Sequence, residues 1–216
     1  MNDLYTQLQD PDFLQRVRAL LRLRDATPEE VAPCATLTIR DSHVQMRSYT
    51  CILLGKKPSE TAFRLLVEAL QSDLDQGVRA DAAGALGNLR DPRAYEFLNR
   101  AYYEDTEWIV QYSAVVALGS LRDPRTYDLM AAALCSTNAL IPQAAISALG
   151  ELGDRRAVPL LLPFVQSEDW LIRQKVAMAL GQLGGAESLA ALRYLARDSN
   201  AQVVTTVEAV LQELER

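Results

Sequence analysis

Aromatic residues make up only 6% of this 216-residue chain, and histidine occurs once. With 49% of residues apolar, a core so poor in rings must be built mostly from alanine, leucine and valine, which suits small, closely packed helices. No apolar run reaches eighteen residues, so no membrane-spanning helix is expected. The start, Met1-Asn2-Asp3-Leu4, lacks the basic-then-apolar order of a signal peptide. Lysine and arginine form no runs and the net charge is −6, which argues against a phosphate backbone as the main partner. The three cysteines, Cys34, Cys51 and Cys135, show no C-x-x-C spacing and are odd in number, as expected of free thiols in a reducing cytosol, with Cys51 in the core and Cys34 and Cys135 partly exposed. His43 follows Asp41-Ser42 at an expected helix start and has no relay partner beside it. It leaves no ordinary zinc ligand set and no catalytic constellation. Glycine-rich phosphate loops, strand alternation and low-complexity segments are also missing.

What the chain does have is a repeated A-L-G. Gly55, Gly87, Gly119, Gly150 and Gly181 follow one another at intervals of 32, 32, 31 and 31 residues. Each lies in a helical pattern, where glycine costs about 1 kcal/mol against alanine, so five in step require a reason. A period of this length marks stacked helical pairs, none of which buries its apolar face alone.

The second helix of each pair starts its pattern at Met46, Val78, Val110, Ile141, Ile172 or Val203, and all but the last carry the glycine. Counting from those residues, positions four, seven and eight later, and position eleven from Val78 onward, are small or apolar and fall in one stripe, the buried face of an amphipathic helix. Position nine is the glycine. Position five (Cys51, Ala83, Val115, Ile146, Ala177) lies on the same flank, against which the next repeat is expected to pack. First helices follow short turns such as Arg90-Asp91-Pro92-Arg93 and Arg122-Asp123-Pro124-Arg125, where aspartate caps free amides and proline has none to lose. Thr27-Pro28-Glu29-Glu30 reads as a capping-box start.

The expected fold is all-α, a right-handed superhelix of six to seven helical pairs forming one solenoid over 1–216. Residues 1–40 form a degenerate repeat with Leu21 where glycine would stand, 41–197 the regular repeats, and 198–216 a capping helix. In that last helix positions five and nine become Glu208 and Gln212 while Val203, Val207, Leu211 and Leu214 keep the inner stripe, as expected of the final repeat.

The pattern V-R-x-x-A-A-x-A-L-G-x-L-x-D-x-R-A, seen at Val78 to Ala94 and again from Ile172, resembles the HEAT-like repeat of the phycobilisome lyase family. The resemblance covers residues 40–216. That family includes two-subunit lyases that attach bilins to phycobiliproteins, the NblB-type phycobilisome degradation protein, and a cyanobacterial relative implicated in iron–sulfur assembly. It implies a non-catalytic scaffold that binds phycobiliprotein subunits or other phycobilisome proteins and assists bilin attachment, detachment or phycobilisome degradation. Alternatives are one subunit of a heterodimeric phycocyanobilin lyase, with a second HEAT-repeat subunit, and a general adaptor. Phycocyanobilin would then be a transient ligand rather than an intrinsic cofactor. The implied location is the cytoplasm, at phycobilisomes on the thylakoid surface.

In such arrays function lies where the repeat does not dictate the residue. Positions two, six and ten of the second helices point away from the stripe, and most there are small or polar. Ile52, Tyr112, Val116 and Met178 are not, and they either form a docking strip on the concave face or are turned by supercoiling against the first helices. Trp108 and Trp170 recur 62 residues apart, each after an acid at a helix start. They serve either as interface anchors or as plugs at the core rim. Tyr102-Tyr103 adds aromatic density near the third repeat, the expected partner contact. Arg47, Arg79 and Arg173 either bind propionate carboxylates of a bilin or pair with loop acids such as Asp75, Asp105 or Asp169.

Overall fold

Second helices follow short polar turns, capped by Asp75 before Gln76–Leu89 and by Asp169 before Trp170–Leu183, and the five that carry a glycine end within two residues of it. The computed structural model describes residues 2–214, and all regular structure among them is helical. Backbone contacts divide the chain into two compact units, Met1–Ala117 and Leu118–Arg216, and the division falls within α8.

The first unit contains α1 (Asn2–Gln7), α2 (Phe13–Arg22), α3 (Pro28–Thr38), α4 (Val44–Leu54), α5 (Glu60–Ser72), α6 (Gln76–Leu89), α7 (Ala94–Glu104) and most of α8 (Trp108–Leu121). The capping box at the head of α3 is complete. The Thr27 hydroxyl accepts from the Glu30 amide, and the Glu30 carboxylate accepts from the Thr27 amide. The inner stripe is buried as the periodicity requires, including Met46, Thr50, Val78, Ala82, Val110 and Ala114. Thr50 is the polar member; its hydroxyl donates to the Met46 carbonyl at 2.7 Å and lies 2.8 Å from the Thr38 hydroxyl, so burial leaves it satisfied.

The second unit continues with α9 (Tyr127–Ala133), α10 (Leu140–Leu152), α11 (Val158–Leu161), α12 (Trp170–Leu183), α13 (Ala186–Leu195) and α14 (Ala201–Leu214). Here the first helix of one pair is short. Pro163 has no amide to donate, so α11 ends at Leu161 and the chain goes on as a 3-10 segment to Gln166.

The glycines have a common role. A Cβ added at Gly55 would lie 2.9 Å from Ala85 Cα, and one at Gly87 2.7 Å from Ala117 Cα. In the second unit Gly119 faces Ala148, Gly150 faces Ala179 and Gly181 faces Val210. Position nine of one second helix therefore meets position seven of the next, so the A-L-G triplet is self-complementary. Its alanine receives the preceding glycine, its leucine enters the core, and its glycine receives the following alanine.

A second ladder runs beside the first. Arg16, Arg47 and Arg79 each grip the aspartate of the next repeat through Nε and Nη2: Arg16 with Asp41, Arg47 with Asp73, Arg79 with Asp105. Nη1 of each donates to a carbonyl six residues earlier, namely Asp10, Asp41 and Asp73. Arg173 repeats the arrangement in the second unit with Asp198 and the Ser167 carbonyl. The register corrects the reading of the N-terminal repeat. Counting from Arg16, the glycine position falls at Arg24, not Leu21, and there the helix has already passed into a 3-10 turn over Leu23–Asp25. Where the arginine is missing, the acid is missing too. Gln111 and Pro142 occupy the arginine position, and Ser136 and Ser167 the acid position, each serine accepting an amide two residues on. Gln111 keeps one bond of the set, donating to the Asp105 carbonyl. An unpaired, half-buried carboxylate is costly, and the chain avoids one at every repeat.

Candidate functional site: exposed faces of the second helices

Ile52 and Val116 in the first unit and Met178 in the second are 44%, 42% and 51% exposed, each on the side of its own helix that otherwise carries small and polar residues. Tyr112 is half-buried, so its ring is partly committed to packing. Trp108 and Trp170 are the first residues of α8 and α12, and both indoles are exposed rather than sealed into the rim. Tyr103 is exposed and meets Tyr102 edge-on, ring centroids 4.9 Å apart.

In the second unit this face forms a groove of about 500 Å³. Met178 and Gln182 of α12 form one wall, with Gly181 at its foot; Thr205, Ala209 and Glu213 of α14 form the other. These are positions six and ten of α12 and two, six and ten of α14, the positions that point away from the inner stripe. Val210 sits against Gly181, and Leu214 closes the end. Leu214 belongs to the buried stripe by sequence count, yet it is exposed and lines the groove, because no later turn of helix covers it among the described residues. Gln174 bridges the two helices, its amide donating to the Thr206 hydroxyl at 2.9 Å. In the first unit Ser48 likewise donates to Asp81 on the next second helix. Each of these bonds ties one second helix to the next within its unit.

The arginines are not on offer to a ligand. Arg79 and Arg173 are saturated by their ladder aspartates at 2.6–3.1 Å and by backbone carbonyls. The pairing acids for Arg47 and Arg173 are Asp73 and Asp198, not Asp75 and Asp169, which cap the starts of α6 and α12. Burial would raise the Asp73 and Asp105 carboxyls, but the hydrogen bonds and charge of Arg47 and Arg79 prevail and hold both below their usual range. Sequence reading missed one further set of contacts. Arg93 stacks over Phe63 while binding Asp91 and Glu60, and Arg156 stacks over Tyr127 while binding Asp154. The D-P-R and D-R-R turns carried that signal.

His43 is the N-cap of α4; its Nδ1 lies 2.8 Å from Arg16 Nη2 and its ring stacks on Phe13. Cys34, expected to be partly exposed, is buried inside α3, where burial raises its thiol pKa. Cys51 is pushed up to about 12, mainly by burial. Only Cys135 is exposed. Native protein is therefore expected to react with DTNB at one thiol and, after unfolding, at three. Fast reaction of two native thiols would contradict the placement of Cys34. Among the described residues no group of His, Cys, Asp and Glu could hold a metal ion, and no helix is long and apolar enough to cross a membrane.

With this geometry, comparison with known proteins is informative. The HEAT-repeat family model matches residues 31–119, 72–139 and 126–212. The chain belongs to the HEAT-repeat family. Among solved structures, this HEAT-repeat protein is similar to the CpcE–CpcF complex of phycocyanin lyase from Nostoc sp. PCC7120, at 24% identity and a TM-score of 0.65, covering 87% of this chain and 76% of that one. It is also similar to YibA of E. coli, at 15% identity and a TM-score of 0.63 over 100% and 92%. An engineered protein matches at 18% identity and a TM-score of 0.62, over 86% and 96%. These likenesses establish the fold. No curated protein matches the sequence.

Proposed function

We propose that this HEAT-repeat protein is a scaffold that binds phycobiliprotein subunits and assists bilin attachment, bilin detachment or phycobilisome degradation. The observation that carries the reading is the exposure of Ile52, Val116 and Met178 at positions where the repeat needs no apolar residue. Large exposed apolar side chains suit protein docking, and the exposed Trp108 and Trp170 at the starts of α8 and α12 supply anchor-type rings. The repeat consensus and the fold shared with a phycocyanin lyase complex support phycobiliproteins as the partner class. Because that neighbour is a complex of two chains, a second reading is one subunit of a two-chain lyase. A scaffold of either kind would act by holding bilin and acceptor thiol together.

Mixing the purified protein with holo-phycocyanin subunits and recording the bilin absorption band separates the readings. A changed band with this chain alone supports a role in bilin handling. A change that appears only when a second HEAT-repeat subunit is added supports the lyase half. An unchanged band in both mixtures, without complex formation, removes both and leaves a general adaptor.

A further inference from the structure

The ends of three first helices, α5, α7 and α13, form the same groove, and one copy differs in charge. Aligned on the ladder acids Asp73, Asp105 and Asp198, the residues five and one before are Glu68 and Ser72, Arg100 and Glu104, and Arg193 and Arg197. In the first copy Arg40 reaches across to Glu68 at 2.9 Å. In the second, Arg100 pairs with Glu104 at 2.5 Å. Both copies are neutralised from within. In the third, Arg193 and Arg197 are exposed and no side chain among the described residues pairs with either. The facing wall is Val165, Gln166 and Ser167. Its single acid, Asp198, is taken up by Arg173 at 2.6 and 2.7 Å. The third copy is also the roomiest, about 800 Å³ against about 320 and 380 Å³. At the position held by Ala69 and Ala101 it carries the exposed Tyr194.

We infer that this groove, between the 3-10 segment Leu162–Gln166 and α13, binds an acidic segment of a partner protein. Arg193 in α13 and Arg197 in the turn that follows it both line the groove, and each guanidinium fork can take one carboxylate of an acidic segment by two hydrogen bonds. Tyr194 gives the segment an aromatic wall with a polar tip. The charge is local: the chain as a whole carries −6, and neither neighbour-type groove offers a free cation, which favours a short acidic segment over a nucleic acid needing a long basic track. This groove is separate from the exposed apolar face of the second helices, and its function does not depend on the phycobiliprotein reading.

The test uses a fluorescein-labelled hexaglutamate peptide and the full chain, read by anisotropy at low and at physiological salt. Arg193→Glu/Arg197→Glu is compared with Arg18→Glu/Arg64→Glu, which makes the same charge change at exposed arginines elsewhere that pair with no side chain among the described residues. The groove variant is expected to weaken binding at least tenfold and the control less than twofold, with unchanged melting temperatures. Should the reversal perturb folding, Arg193→Gln/Arg197→Gln is expected to weaken binding at least threefold. Equal loss in groove and control variants, or no binding by the wild-type chain, overturns the inference. So does tenfold tighter binding, lost in the groove variant, of a phosphoserine peptide or a single-stranded oligonucleotide.

Discussion

Gly87→Ala is expected to destabilise the protein by about 1–2 kcal/mol, whereas Gly84→Ala, three residues earlier in α6, is expected to stabilise it by about 0.5–1 kcal/mol. Helix propensity favours alanine equally at both sites, so the difference isolates packing. Around Gly84 nothing lies within 4 Å of an added Cβ. At Gly87 the methyl would sit 2.7 Å from Ala117 Cα and 2.8 Å from its Cβ. Those atoms belong to a neighbouring helix backbone and cannot rotate aside, so the helices must separate and loosen every contact along that flank. Overpacking of this kind costs about 1–3 kcal/mol and outweighs the propensity gain. Gly87→Val is expected to lose more. Urea midpoints at unchanged slope are the measurement. Stabilisation by Gly87→Ala would show that the glycine ladder is not a close-approach device.

Arg79→Gln is expected to cost about 2–3 kcal/mol, less than a fully buried pair because both side chains keep some solvent contact. Asp105 would keep the Glu107 amide but lose its countercharge. Adding Asp105→Ser should recover at least half of that loss, since the chain itself uses glutamine at position 111 and serine at positions 136 and 167. The pH dependence has a definite sign. The carboxyls of Asp41, Asp73, Asp105 and Asp198 titrate below their usual range in the folded protein. The stability they contribute is fully present above the unfolded value of about 4 and is lost as pH falls through the lower folded values. The gap between wild type and Arg79→Gln should therefore narrow between neutral pH and pH 3. Equal losses at both pH values, or a double variant as unstable as the sum of the singles, would contradict the ladder's electrostatic role.

Much of this was legible in the sequence because period and composition encode it directly. The A-L-G spacing gave the stacking, and the offsets from Met46 to Val203 gave the buried stripe. The apolar residues at position six stood out because that position owes nothing to the core. What escaped depends on which of two nearby groups does which task. Asp73 and Asp75 both precede α6, and one pairs with Arg47 while the other caps the helix. Leu21 fits an echo of A-L-G, but the arginine ladder places Arg24 at that position. Cys34 sits in a helix whose apolar pattern is weak, and only neighbouring helices bury it. The groove at Arg193 and Arg197 emerges only when first-helix ends are aligned on the ladder acids, a register that α11's interruption at Pro163 obscures.

The most direct test of the functional account is co-elution of this chain with holo-phycocyanin subunits, wild type beside Val116→Glu/Met178→Glu. Both residues are exposed, so the variant should keep its helicity and melting temperature. The account predicts a stable complex with the wild-type chain and at least a tenfold weaker one with the variant. Absence of any complex with the wild type, or equal binding by a well-folded variant, would contradict it.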